Sequence, residues 1–382
     1  MNATKEPILV VVQLSGGNDY LNTIVPYQNP HYYDNRHTLH FSEEDIHKID
    51  NEIALNPSMG PIKDIYDRGD MAIIHGVGWE NSTRSHFRAM DIWHTAEPDK
   101  VGTEGWLGRT VRELDPGGEN PVLSVNLGYG LPRALVAPNV SVASVSDLSA
   151  YGLMTSIEQR QQREQMLSRF ASMYAPAIGT GPVMEYLSQT GLDALKGADM
   201  LRTAPEGYSS EVEYATNPLA GKLKDVSKIL LANLGTRIYY TEHGSFDTHA
   251  SQAPAHAMLW SEVSSAVADF WDDLHEHNAA DNVLMFIFSE FGRRVKENGS
   301  GTDHGAAGVS FAIGPRVQGG TYSTYPETRL EALQNGDLAP NVDFRSLYTT
   351  ILEDWIGIDS APIVGGQFEN LNFISKSYPS AS

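Results

Sequence analysis

The chain has no cysteine. That excludes disulfides, cysteine-ligated zinc, iron–sulfur clusters and a thiol nucleophile, and it leaves the redox compartment open. Positive charge is scarce: 27 Lys and Arg stand against 48 Asp and Glu, a formal net charge of −21. Such a balance opposes an extended grip on nucleic acid and gives a solvated acidic surface, some of whose carboxylates can gather around a cation. Long apolar runs are also missing, so nothing in the sequence spans a bilayer. Met1–Pro7 is short and polar, without the basic, apolar and small-residue order of a signal peptide, and the chain as given is expected to be cytoplasmic. What remains is 382 residues, 41% of them hydrophobic. That is enough to bury a large core without a disulfide or metal merely to fold.

Short apolar runs punctuate the chain at Ile8–Leu14, Met71–Val77, Arg237–Thr241, Val283–Phe288 and Val309–Ile313. They are too continuous for one-sided strands and suit strands covered on both faces, as in a parallel sheet between helices. Helical spacing separates them. Leu259, Val263, Ala266, Phe270 and Leu274 make one buried face within 255–277, a helix is predicted over Ser85–His94, and Leu347, Ile351 and Trp355 share a stripe in Phe344–Trp355. The expectation is a single α/β domain over 1–382 with a mostly parallel central sheet, and a polar, helix-rich insertion or cap at about 150–235. Ligands of such sheets bind beyond the carboxyl ends of the strands.

Four polar clusters fall at those ends. Ser15-Gly-Gly-Asn-Asp19 follows the first strand, and its glycines permit a tight turn that presents Asp19 to a hard cation or to a helix cap. Asn81–Arg88 follows the second. There Ser85 begins a helix as a nucleophile or a plain N-cap, Arg84 and Arg88 are candidates to hold an anion, and His86 is a possible ligand. Asp247 and His249, two apart in a loop, can converge on one metal, with His243 and His256 in reserve. The densest cluster is Glu290, directly after Val283–Phe288, with Asp303-His304 in a glycine-rich loop beyond it. An ion pair of Glu290 with Arg293 or Arg294 is its bland alternative. Four such clusters on strands of one sheet favour a divalent-metal site.

The strings LSGGNDYLNTIVPY, TRSHFRAMDIW, GWLGR, GSFDTHASQ, FSEFGRRVKENGSGTDHG and DFRSLY…ILEDW resemble a bacterial family of unknown function whose members are labelled sulfatase-like or alkaline-phosphatase-like. The resemblance runs from about 8 to 357. It implies the alkaline phosphatase superfamily fold, a sheet between helices with a two-metal site at strand ends. By that likeness Asp19 corresponds to an early ligand, Ser85 to the nucleophile and Asp247 with His249 to an Asp-and-His pair. Glu290 stands at the Asp of an Asp-His pair, and Asp303 and His304 supply the late ligands. Phe291 stands where the likeness places a histidine. Ser82 and Ser85 lack the Pro of a formylglycine motif, which favours phosphoesters over sulfate esters.

The expected activity is therefore metal-dependent hydrolysis of a small anionic ester, with Ser85 or a metal-held water as nucleophile. The ion or ions are expected to be zinc or manganese before magnesium or calcium. The alternatives are a non-catalytic metal- or carbohydrate-binding member of the same fold, and a sulfatase-type hydrolase without formylglycine. No nucleic-acid or membrane partner is expected.

Overall fold

Along Ile8–Leu14 the side chains alternate between two separate cores: Leu9 and Val11 pack into one, Val10, Val12 and Leu14 into the other, all of them buried. Val283–Phe288 divides the same way, with Val283, Met285 and Ile287 opposite Leu284, Phe286 and Phe288. A strand reads as a continuous apolar run when both faces are covered, because successive side chains point to opposite sides. The computed structural model describes residues 5–149, 151, 162, 165, 169 and 196–376.

The main sheet runs in the order Gly320–Tyr322, Met71–Gly78, Gly308–Ile313, Val283–Phe288, Ile8–Leu14, Ile238–His243, Ser124–Leu127, Ala143–Val145, with Val342–Asp343 paired to the end of Met71–Gly78. Only Gly308–Ile313 pairs antiparallel with its neighbours. The other pairings are parallel, so most strands deliver their carboxyl ends to one rim.

Helices cover both faces. Gly60–Asp67, Pro218–Leu231 and Gln252–Glu276 contribute Ile62, Leu223 and Val263 to one core, while His86–Thr95, Trp106–Leu114 and Phe344–Thr350 contribute Trp93, Trp106 and Leu347 to the other. The long helix starts at Gln252, ahead of the apolar stripe, because Pro254 falls in its first turn where a missing N–H leaves no bond unmade. Over 344–356 the helix opens at Ile351–Ile356 into a π turn and stops at Gly357, φ 86°. Leu347, Ile351 and Trp355 are all buried. Of the expected insertion, most of 150–195 lies outside the described residues. Pro218–Leu231, capped by the Asn217 side chain, buries Leu219, Leu223, Val226 and Ile229 in the core and forms part of a helical layer. No helix among the described residues is long and apolar enough to cross a membrane.

Candidate metal centre

The rim gathers side chains from three loops and a helix start. Gly16, at φ 121°, lies so close to the Phe246–Asp247 backbone that a Cβ there would sit 2.3 Å from Asp247 N, so only glycine lets this loop settle on the first strand's turn. Below them Arg293 is fully buried. Its guanidinium donates to Gly17 O (2.6 Å), Thr302 O (2.8 Å), Phe246 O (2.9 Å), Gly16 O and Asp247 Oδ1 (2.7 Å). One cation thus clamps three loops and aims Asp247 outward. A short hairpin pairs Arg293–Glu297 with Thr302–His304 and sets His304 directly across from Arg293.

Three imidazoles and one carboxylate meet above this clamp. His304 Nε2 is 3.0 Å from His86 Nε2 and 2.9 Å from His249 Nε2. Asp247 Oδ1 is 2.9 Å from His304 Nε2 and 3.0 Å from His249 Nε2, and its Oδ2 is 3.5 Å from His86 Nε2. The opposite ring nitrogens are also held. His86 Nδ1 is 2.8 Å from Glu290 Oε1, His304 Nδ1 is 2.8 Å from Arg84 O, and His249 Nδ1 is 3.4 Å from Asp303 Oδ1. A carboxylate or carbonyl oxygen only accepts, so each Nδ1 carries the proton and each Nε2 turns a lone pair toward the others. Facing lone pairs beside a carboxylate repel unless a cation lies among them.

The donor set fits such an ion. Metal–nitrogen bonds of about 2.0–2.1 Å in a tetrahedron place neighbouring ligand atoms roughly 3.3 Å apart, close to these separations. Histidine ligands that give their second N–H to a carboxylate or carbonyl are the usual outer arrangement of a metal site. His86, Asp247 and His304 offer three atoms that all lie within 4.8 Å of one another, and His249 closes a second triangle with Asp247 and His304. Burial pushes the Asp247 carboxyl upward, but the His304 ring beside it and the hydrogen bond and charge of Arg293 outweigh it and hold it at about 2. For His86 the Glu290 hydrogen bond raises the pKa against desolvation. A second group, Asp273, Glu276 and His277, is engaged by Tyr208, Tyr214, Ser210 and the Ser209 carbonyl and braces the end of the long helix.

Of the residues read from sequence, Asp247, His249 and His304 share this cluster. Asp19, also read there as a ligand, lies apart from it. Its carboxylate is fully buried in a two-pronged ion pair with Arg36 (2.5 and 2.9 Å) and accepts from Gln252. Glu290 and Asp303, read as ligands as well, lie behind the cluster, each beside the Nδ1 of a histidine ring. Glu290 Oε1 accepts from Gly16 N as well, and no contact joins it to Arg293 or Arg294. Arg84 is paired with Asp337 and Arg88 with Asp91, so neither guanidinium turns to the cluster, although Arg84 serves it through its carbonyl. Ser85 occupies the N-cap position of His86–Thr95, is exposed and makes no side-chain capping bond. His243 and His256 are buried elsewhere, and burial lowers each to about 4. Phe291, at the position where likeness placed a histidine, packs its buried ring 4.9 Å from His86 and 5.0 Å from His304 and fixes both ring planes.

A family model described as "Protein of unknown function (DUF1501)" matches residues 7–368. The chain belongs to that family. No curated protein matches it. Solved structures similar to it include an alkaline phosphatase superfamily protein from Vibrio parahaemolyticus, at 8% identity and TM-score 0.41, over 97% of this chain and 70% of that one. The PsFucS1 sulfatase of Pseudoalteromonas sp. is 11% identical with TM-score 0.40, over 95% and 68%. The C-terminal periplasmic domain of EcEptC from Escherichia coli, in complex with Zn, is 10% identical with TM-score 0.42, over 93% and 84%.

Proposed function

We infer that this member of the family is a metal-dependent hydrolase of small anionic esters, phosphoesters foremost. The observation that carries this reading is the set of three Nε2 lone pairs and the Asp247 carboxylate turned toward one point, each ring locked from behind. Asp19 and Glu290 are spent on Arg36 and His86, which favours one ion over two. Imidazole-rich ligation with one carboxylate suits zinc or manganese. A divalent ion held there would polarise a phosphoryl or sulfuryl oxygen and neutralise charge that develops on it.

The residues supply the rest. Arg293 and Glu290 keep Asp247 and His86 in place, so the centre does not reorganise as charge builds. Ser85, adjacent to His86 and with its hydroxyl free of any capping bond, is the side-chain nucleophile this arrangement offers. Water is the second candidate, favoured by the open face on which His249 and Asp247 are each nearly half exposed.

Metal analysis of the purified protein, followed by a panel of phosphate mono- and diesters and sulfate esters, tests the reading. Asp247→Asn and His304→Ala should lose both metal and turnover. Unchanged metal content and activity in these variants would overturn it. Ser85→Ala then separates the nucleophiles, since activity survives only where water attacks.

A further inference from the structure

Beside the centre, a cleft of about 590 Å³ opens along the first turns of the helix His86–Thr95. Ser85 and His86 line it together with Phe87, Met90, His94 and Val101. Phe87 is 92% exposed and Val101 71%. Both large apolar side chains line the one cleft, so an apolar group seated there would take them out of water. The volume lies in the range of small-molecule sites, about 300–1,000 Å³.

Beyond Ser85 at the centre, the charged side chains of the cleft are largely engaged with one another. Asp91 accepts from Arg88 (2.5 Å) and Arg133 (2.6 Å), and the two guanidiniums also donate to Pro98 O and Gly102 O. His94 Nε2 is engaged by Gln13 and Tyr240. A polyol entering here would strip water from its hydroxyls and find few free partners, whereas an apolar ring would lose nothing. The aliphatic stems of Arg88 and Arg133 extend the apolar wall. Two arginines against one aspartate also leave a surplus positive charge, which suits an anionic ester.

We propose that this cleft receives the organic half of the substrate, and that it selects anionic esters of an aromatic or similarly flat apolar group over esters of small polyols. The proposal rests on the hydrolase reading only in that Ser85 and His86 are shared by cleft and centre; binding of the apolar group itself needs no turnover.

The test begins with 2-naphthol, titrated against the full-length protein and followed by its fluorescence and by saturation-transfer NMR. Saturable binding that Phe87→Ala and Val101→Ser each weaken about tenfold is expected, the effect of withdrawing a large apolar contact. Both residues are exposed, so their replacement leaves the core packing alone. The second arm compares kcat/KM for 2-naphthyl phosphate and glycerol phosphate, and the ratio should fall at least about tenfold in Phe87→Ala. Absence of saturable 2-naphthol binding, wild-type affinity in both variants, or an unaltered ratio would overturn the proposal. Binding that responds to the variants while no ester is turned over would support the cleft and remove the hydrolase reading instead.

Discussion

Arg293 reaches Asp247 at 2.7 Å from a position with no solvent exposure, and the same guanidinium satisfies backbone carbonyls of three loops. Its removal would leave buried acceptors unpaired, each costing about 1–3 kcal/mol. Arg293→Met is therefore expected to lower unfolding free energy by at least about 3 kcal/mol and to weaken metal binding as well. Urea denaturation and zinc titration calorimetry on the same preparation check both; a variant of native stability would show that the clamp is dispensable.

Glu290 touches the cluster of ring nitrogens through His86 and braces the glycine turn beside it through Gly16 N. Loss of such an outer partner ordinarily costs about 10–100-fold in metal affinity without abolishing the site. Glu290→Gln should fall in that interval and keep its metal stoichiometry, while Asp247→Asn loses the ion outright. Equal losses in the two variants would make Glu290 a ligand.

Asp19 belongs to the fold. Its buried pair with Arg36 holds against desolvation, and the Arg36 charge draws the carboxyl below its ordinary value. Breaking one partner of such a pair costs about 3–5 kcal/mol. Asp19→Asn should show that loss in chemical denaturation and retain the wild-type metal content, opposite to the outcome for a ligand.

Acid should destabilise the chain through His75 and His94. Burial holds each imidazole at about 4, below the ~6.5 of an exposed histidine. His243 and His256 are held down alike, so between about pH 6.5 and 4 the unfolded chain binds four protons that the native chain refuses; their contribution is full above that window and is lost as pH falls through it. Urea midpoints taken across the window should drop, and His75→Gln should make the descent shallower; identical slopes would place the acid sensitivity elsewhere.

The sheet was legible because a strand buried on both faces must be apolar at every position, as Ile8–Leu14 and Val283–Phe288 are. Asp247, His249 and His304 were legible because they follow strands in glycine-rich turns. Spacing alone does not say which way a carboxylate points. Glu290 and Asp303 stand in the right loops, yet an oxygen aimed at an ion and one aimed at an imidazole N–H need the same backbone. The ion pair of Asp19 was not legible because its partner, Arg36, lies 17 residues on in a stretch without a pattern. His86 carried a weak signal as one histidine at a helix start. Arg293 was visible only as a candidate partner for Glu290, whereas its task depends on three loops that meet only after folding.

His86 and His304 are 218 residues apart in the chain, and His249 and His304 are 55 apart. An ion gripped by all of them would therefore act as a reversible cross-link that closes two large loops. Restricting loops of that size lowers the entropy the chain gains on unfolding by an amount that grows slowly with their length. Occupancy would be felt far from the rim, in the melting of strands at both sides of the sheet. Scarcity of the ion would then lower the protein's lifetime as well as its activity, coupling how much of it persists to how much metal is available.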